Sequence, residues 1–356
     1  MKSTFKGIAA LAVGSVLAVA ALAGCSGNSS SGSSGDAIKV GLLLPESKTA
    51  RYESFDRPIF TDAIEALGNY EVVYSNADQD SSKQQQQAES AIAAGVKVLV
   101  LDPVDADAAA SIVEEAAAAN IPVISYDRLI SSDQISYYLS FDNEKVGELQ
   151  AQTLLDGLEA EGTTSGGLIM INGSPTDPNA ASFKEGAHSV LDDSGFTILA
   201  EYDTPDWSAD NAQSWMTSQL AQYNGQFVGV YAANDGTAGG AIAAMQAANV
   251  SPWPLVTGQD AELAGIQRIV SGDQYMTIYK SIKDEATKAA EIAAQLASGE
   301  TVEGDTTVDG IPSTLLTPVA VTIDNIVDTV VADGFWSVSD ICTSDYAAAC
   351  TAAGIQ

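Results

Sequence analysis

Along the body of the chain, short apolar runs alternate with alanine-rich segments of helical length, and this alternation constrains the fold more than any other feature. The runs fall at 38–44, 72–74, 96–101, 123–125, 137–141, 168–171, 197–200, 227–232, 255–256 and 276–279. Several are apolar almost throughout, as strands covered on both faces are. Between them lie 82–94, 106–119, 146–158, 209–222, 237–248 and 283–297, each long enough for a helix. Such alternation predicts an α/β fold with parallel sheets covered by helices on both faces. Ten strands suit two sheets better than one, and a length of 356 residues fits two lobes. No stretch of the body reads as a linker, so the lobes are expected to be joined by short crossing strands. The glutamine run at 84–87 lies within a helix and reads as a solvated face.

The residues that follow the strands carry the chemistry. In order they are Pro45-Glu46, Asn76, Asp102-Pro103, Asp127-Arg128, Asp142-Asn143, Asn172-Gly173-Ser174-Pro175, Asn234-Asp235, Gln259-Asp260 and Lys280. In open α/β sheets ligands bind outside the carboxyl ends of the strands. Asp and Asn there also cap helices, but Arg128 and Lys280 have no acceptor oxygen to cap with. Acceptors, amides and cations converging on one edge suit a neutral polyol, whose hydroxyls both donate and accept. Tyr52 and Trp207 are candidates to cover the apolar face of a sugar ring. No glycine-rich phosphate loop and no G-x-S-x-G or H-E-x-x-H stretch is present. A carboxylate pair could in principle hydrolyse a glycosidic bond, but so many donor side chains suit binding better than catalysis.

Charge excludes other classes. With 47 acidic against 15 basic residues the net charge is −32, which would repel nucleic acid and an anionic membrane surface. One histidine, His188, and three cysteines argue against a His/Cys metal centre; His188 reads as a surface residue on a helix. At the N-terminus, Lys2 and Lys6 flank an apolar run over 8–23 that reads as a secretory signal. The run is too short for a span of about 20 residues. It ends in Leu22-Ala23-Gly24-Cys25, which resembles the lipobox of bacterial lipoproteins and implies lipid on Cys25 with cleavage of residues 1–24. Residues 25–36 then read as the lipidated cysteine and a Ser/Gly tether. The remaining pair, Cys342 and Cys350, suggests a disulfide outside the cytoplasm, with a local effect near the C-terminus.

Several stretches are more specific. They are YYLSFDNEKVGELQA at 137–151, Tyr126-Asp127-Arg128, GSPTDPNA at 173–180, NDGTAGGAI at 234–242 and GQDAELAGIQRIVSGDQYMTIYK at 258–280. With LLTPVAV at 315–321 and DTVVADGF at 328–335, they resemble the D-xylose-binding proteins of bacterial ABC transporters and the related multiple-monosaccharide-binding group. The resemblance covers roughly residues 37 to 336. It implies a type I periplasmic binding protein fold, with two Rossmann-like lobes, parallel sheets and a three-segment hinge. The lobes would be 37–142 plus 282–313, and 143–281 plus 314–356. The implied contact residues are Arg51, Tyr52, Asp127 and Arg128 from the first lobe, with Asp177, Asn179, Trp207, Asn234 and Asp260 from the second and Lys280 near a hinge crossing. The family usually has Trp where this chain has Tyr52, and the spacing between Tyr52 and Ile59 follows the multi-sugar group more closely. The resemblance implies no catalytic residue, cofactor or metal. It implies a monomer on the outer face of the cytoplasmic membrane that serves a permease, with a chemoreceptor or sensor kinase as a further recipient. A repressor sharing this body would open with a helix-turn-helix instead of a signal and tether.

Overall fold

The computed structural model describes residues 36–355; the signal, the lipobox and most of the tether lie outside them. The first sheet contains β1 (Ile38–Leu44), β2 (Tyr70–Asn76), β3 (Val98–Leu101), β4 (Val123–Tyr126) and β5 (Tyr137–Phe141). The second contains β6 (Gly167–Asn172), β7 (Thr197–Asp203), β8 (Phe227–Ala232) and β9 (Leu255–Val256), followed by β10 (Met276–Tyr279). Three later strands, β11 (Thr306–Val308), β12 (Ile311–Leu316) and β13 (Val319–Thr322), have no counterpart in the sequence reading. They return the chain to both sheets. The first sheet has order β11-β12-β5-β4-β3-β1-β2, parallel except for the β11–β12 hairpin. The second has order β7-β6-β8-β9, all parallel. β10 pairs antiparallel with β13, and Ile278 bridges in parallel to Gln259 just beyond β9.

Period-2 alternation decides which face each strand residue covers. Val40, Leu42 and Leu44 of β1 and Val98 and Val100 of β3 enter one core. Leu43, Leu99 and Leu101 enter the opposite one. In the second sheet Leu168 and Met170 of β6 face one core, and Ile169 and Ile171 the other. Each core is closed by two helices. Helix α1 (Arg57–Leu67) lies with α9 (Ile282–Ala297), and α2 (Ser81–Ala93) with α3 (Ala110–Ala118). Helix α4 (Asn143–Ala160) lies with α5 (Pro178–Leu191), and α6 (Ala209–Tyr223) with α7 (Asp235–Ala247). The sequence reading gives no bounds for α5, although it places His188 on a helix there, and it does not mark α1, α8 (Leu263–Ser271) or the short C-terminal helices α10 (Val338–Ile341) and α11 (Ala347–Ala353).

Two expectations are corrected. The segment 106–119 becomes helical only from Ala110, because the Asp105 side chain first accepts from the Asp107 and Ala108 amides in a turn. The glutamine run is a solvated face only in part: Gln86 is exposed, but Gln84 and Gln87 turn inward. Gln84 is buried and clamps the chain after β3, donating to Asp102 O at 2.8 Å and accepting from Val104 N at 2.9 Å. Gln87 likewise donates to Asn76 O at 2.8 Å. Both amides replace sheet hydrogen bonds that end with β2 and β3, which satisfies buried carbonyls. Near the C-terminus a disulfide joins Cys342 to Cys350 with a Cα–Cα distance of 5.9 Å. Among the described residues no helix is long and apolar enough to cross a membrane.

Helices α4 and α5 approach through glycines. A Cβ on Gly147 would stand 2.0 Å from Phe183 O, and one on Gly186 would stand 2.0 Å from Glu144 O. Backbone atoms cannot yield as a side chain tip can. Gly147→Ala is therefore expected to cost about 2 kcal/mol of stability, read as a lowered midpoint in thermal unfolding.

Candidate functional site

The first wall is built by the turn after β1. Glu46 is fully buried and accepts from the Lys48 and Thr49 amides, which curls the loop back toward the sheet. The chain then enters a π-helical turn, Tyr52–Asp56, that leads straight into α1. This places Arg51 under the strand ends with three carboxylates around it. Its Nε and Nη2 bond Asp56 at 3.0 and 2.9 Å, Nη2 also meets Glu285 of α9 at 2.6 Å, and Nη1 stands 3.2 Å from Asp127 Oδ1. The Tyr126 hydroxyl donates to Asp56 as well. Burial alone would push the Arg51 guanidinium down, but Asp127, Asp56 and Glu285 together hold it well above the ordinary arginine value.

Asp127 and Arg128 follow β4. Asp127 sits at φ 59° and Arg128 at its side spreads a three-way fork. Its Nε meets Asp177 Oδ2 at 2.9 Å, Nη2 donates to the Tyr52 hydroxyl at 2.9 Å, and Nη1 donates to Pro103 O at 3.0 Å. Asp102 lies behind it at 3.5 Å. Burial would raise the Asp127 carboxyl, but Arg51, Lys280 and Arg128 outweigh it and hold the group below the usual carboxylate range. For Asp102 and Glu285 burial wins, pushing both well above that range in spite of Arg128 and Arg51 respectively. A buried cluster with more acids than bases approaches charge balance in this way.

The second wall uses helix N-termini. Asp177 caps α5 with one oxygen, accepting from Asn179 N at 2.9 Å. Its other oxygen takes Arg128 and the indole N–H of Trp207, the latter at 3.0 Å. Asn179 has both ends of its amide engaged: Nδ2 donates to Asp127 O at 3.0 Å, and Oδ1 accepts from Asn143 at 2.9 Å. Asn234 caps α7 through Oδ1, which accepts from Thr237 N at 2.8 Å, and its Nδ2 donates to no described residue. Capping and cavity lining are therefore compatible at Asp177 and Asn234, whereas Asp142 only caps α4. Trp207 lies in a left-handed turn (φ 52°) with its ring over Gly173, where a Cβ would come within 2.0 Å. Lys280 ion-pairs with Asp260 at 3.1 Å and lies over the rings of Phe141 and Phe183. Burial would lower the Lys280 ammonium, but Asp260 and Asp127 outweigh it and raise it.

These side chains line one small, partly open cavity. All ten contact candidates from the sequence line it, although each is at most 7% exposed. Thr49, Phe183 and Gln259 line it too. Gln259 is visible as a strand-end amide, but nothing in the sequence marks Phe183, in α5, as a cavity residue. Arg51 Nη1, Asp127 Oδ1, Gln259 Oε1 and Asp260 Oδ1 are buried without a hydrogen-bond partner among the described residues. His188 is elsewhere, half-buried and paired with Asp192 and Glu201. The described residues contain no cluster of His, Cys, Asp and Glu suited to a metal ion.

The Gln259–Asp260 loop rests on two unusual acids. Asp235 accepts from Glu262 N at 2.8 Å, from Gln274 at 2.6 Å and from Thr277 at 3.1 Å. Burial pushes Asp235 up to about 7, and burial with the nearby Asp235 and Asp260 charges pushes Glu262 up to about 8. Ordinary unfolded values are about 4, so the folded chain holds these two protons at higher pH than the unfolded chain. Their contribution to stability is thus greatest below about pH 4 and falls as pH rises toward 7 and 8. Asp235→Asn should shrink the difference in melting temperature between pH 5 and pH 8, measured by calorimetry.

Residues 40–301 match the family described as "Periplasmic binding protein domain". The chain is 40% identical over 312 residues to the D-xylose-binding periplasmic protein of Escherichia coli, covering 85% of this chain and 92% of that one. It is 32% identical over 326 residues to the multiple sugar-binding periplasmic receptor ChvE of Rhizobium radiobacter, with coverage of 85% and 92%. Among solved structures it resembles an ABC transporter solute-binding protein from Clostridium phytofermentans with bound β-D-glucose. That match has a TM-score of 0.79 and 29% identity, and covers 85% of this chain and 99% of that one. A carbohydrate transporter solute-binding protein from Chloroflexus aurantiacus in complex with D-glucose matches with a TM-score of 0.76 and 31% identity, covering 85% and 97%.

Proposed function

The chain belongs to the periplasmic binding protein family, and from that premise we propose that it captures a monosaccharide, D-xylose foremost, in the buried cavity and delivers it to an ABC permease. As a member of a family of binding proteins it is not an enzyme, and its family places it outside the cytoplasm. The observation that carries the sugar reading is the cavity's mixed lining. Carboxylates accept, cations donate, and amides do both, all among buried side chains. Hydroxyls need that mixture, and charge-assisted hydrogen bonds to them are the strong ones. Phosphate would be poorly served by a site with this many carboxylates.

In this reading the two sheets belong to lobes that close around the sugar. The lobes in this reading are 37–142 plus 282–313 and 143–281 plus 314–356, and β12 pairs with β5 as far as Leu316. Arg51, Tyr52, Asp127 and Arg128 contact the sugar from one side. Asp177, Asn179, Trp207, Asn234 and Asp260 contact it from the other, with Lys280 beside the hinge. The sugar favours the closed arrangement because it touches both sides at once. Lipid on Cys25 would hold the monomeric protein at the outer face of the cytoplasmic membrane, its contact with the membrane limited to that anchor. A broader aldose or fructose binder that also feeds a chemoreceptor or sensor kinase is the second reading, favoured by the likeness to a multiple sugar-binding receptor.

Calorimetry against D-xylose, D-glucose, L-arabinose, D-galactose and D-fructose should reveal at least one ligand with micromolar or tighter affinity, about −8 kcal/mol. Flat traces for all five would sink the sugar reading, and turnover of an aryl glycoside would replace it with hydrolysis. A clear preference for D-xylose separates the first reading from the second. Arg128→Ala and Asp260→Ala should each cost more than ~2 kcal/mol of binding, because each leaves a buried partner unpaired. A variant that binds as tightly as the parent removes that residue from the site.

A further inference from the structure

We propose that Gln259 contacts the ligand directly and helps set its specificity, its amide taking one hydroxyl as both donor and acceptor. This rests on the sugar-binding reading and goes beyond the contact residues that the family resemblance implies. Gln259 lines the cavity and is 2% exposed. Its Oε1 is buried without a hydrogen-bond partner, and its Nε2 donates to no described residue. The other amides at the cavity offer less: Asn179 is engaged at both ends, and Asn234 has its oxygen taken by Thr237 and keeps only its Nδ2. Gln259 thus keeps a complete donor–acceptor pair, where Asp260 offers only acceptors and Lys280 only donors.

The main chain holds this amide in place. Asp235 N donates to Gln259 O at 2.9 Å, and Gln259 pairs in parallel with Ile278. At the preceding Gly258 a Cβ would meet Asp235 Oδ1 at 2.0 Å and Gln274 Nε2 at 2.4 Å. The loop is therefore clamped from behind by Asp235 and Gln274. A buried polar group with no protein partner on a clamped backbone costs stability unless something else satisfies it. A ligand hydroxyl satisfies it.

A structural glutamine and a ligand-reading glutamine differ in what its removal does. Gln259→Leu removes no hydrogen bond to the protein, so the full-length variant should melt, without sugar, at the same temperature as the parent or higher. Its affinity for whichever of the five sugars binds the parent should fall by about tenfold or more. Gln259→Glu keeps the acceptor and loses the donor, and it should also weaken binding and change the order of preference among the five. Calorimetric titration and thermal unfolding give both readouts. Affinity within twofold of the parent in both variants overturns the proposal, as does a large drop in the sugar-free melting temperature of Gln259→Leu. If the parent binds none of the five sugars, this proposal falls together with the reading it rests on. If the parent binds and the variants are unchanged, only this proposal falls.

Discussion

A guanidinium taken out of water must be ringed by partners, and the site is organised around meeting that demand at Arg51. The desolvation cost of a buried ion is several kcal/mol after relaxation and is offset only by well-placed opposite charges. Arg51 obtains them from three separate elements: Asp56 from the turn beside it, Asp127 from the end of β4, and Glu285 from α9. One side chain therefore fixes the relative placement of three distant stretches of sequence. The acids it recruits exceed the cations in number, since Arg51, Arg128 and Lys280 face Asp56, Asp102, Asp127, Asp177, Asp260 and Glu285. The excess is relieved where burial holds Asp102 and Glu285 toward their neutral forms. Asp127, facing all three cations, remains the ionised centre.

Backbone strain is concentrated where these groups are aimed. Apart from glycines and Gln79, left-handed φ values among the described residues occur mostly at Asp and Asn, which tolerate them through local hydrogen bonds. Trp207 and Ala261 have no such excuse, yet they sit at φ 52° and 48°. Both flank the cavity. Trp207 is held there by its indole bond to Asp177, and Ala261 by Thr277 and by the Trp336 indole N–H, which donates to its carbonyl at 2.9 Å. A conformation costing of order 1–3 kcal/mol persists only when surrounding contacts over-determine it. The C-terminal segment that carries Trp336 is therefore part of the support of Asp260, although it lies far from it in sequence.

What could be read from the sequence follows from how buried strands and charged side chains differ from everything else. Strands covered on both faces are nearly uninterrupted apolar runs, so 38–44, 137–141, 227–232, 255–256 and 276–279 have the same bounds in the structure as in the pattern. Arg128 and Lys280 stood out because a cation cannot cap a helix. Other features carried no such mark. Gln84 has the same spelling as a solvated glutamine, and only the carbonyl of Asp102 and the amide of Val104 make it internal. Helix α5 hides its apolar face among Asn, Ser, Lys, Glu and His, so Phe183 could not be assigned to a cavity. Asp56 and Glu285 look like ordinary surface acids on helices until Arg51 is placed between them. The strands β11 to β13 are short and partly polar, and they form because the edge of an existing sheet accepts them.

The same charge arithmetic explains why a neutral ligand could govern closure. Direct ties already cross between the ends of the two sheets: Arg128 to Asp177, and Asn179 to the carbonyl of Asp127. In the proposed reading they give the closed arrangement a definite geometry. They also leave Gln259 Oε1 without a hydrogen bond, while Arg51 Nη1 and Asp127 Oδ1 meet each other at 3.2 Å and Asp260 Oδ1 meets Lys280 at 3.1 Å. In the proposed reading, closing over these groups removes water from them and those ion pairs offset the loss only in part, so the protein's own ties and its own desolvation work against each other. In the proposed reading a sugar changes only one side of that contest. Its hydroxyls satisfy the unpaired atoms in the closed arrangement and cannot reach both walls in the open one. The equilibrium then shifts by the difference in its affinity for the two. A ligand carrying net charge would disturb the near balance of cations and ionised acids that Arg51 depends on, so in the proposed reading the constraint that builds the site favours a neutral ligand.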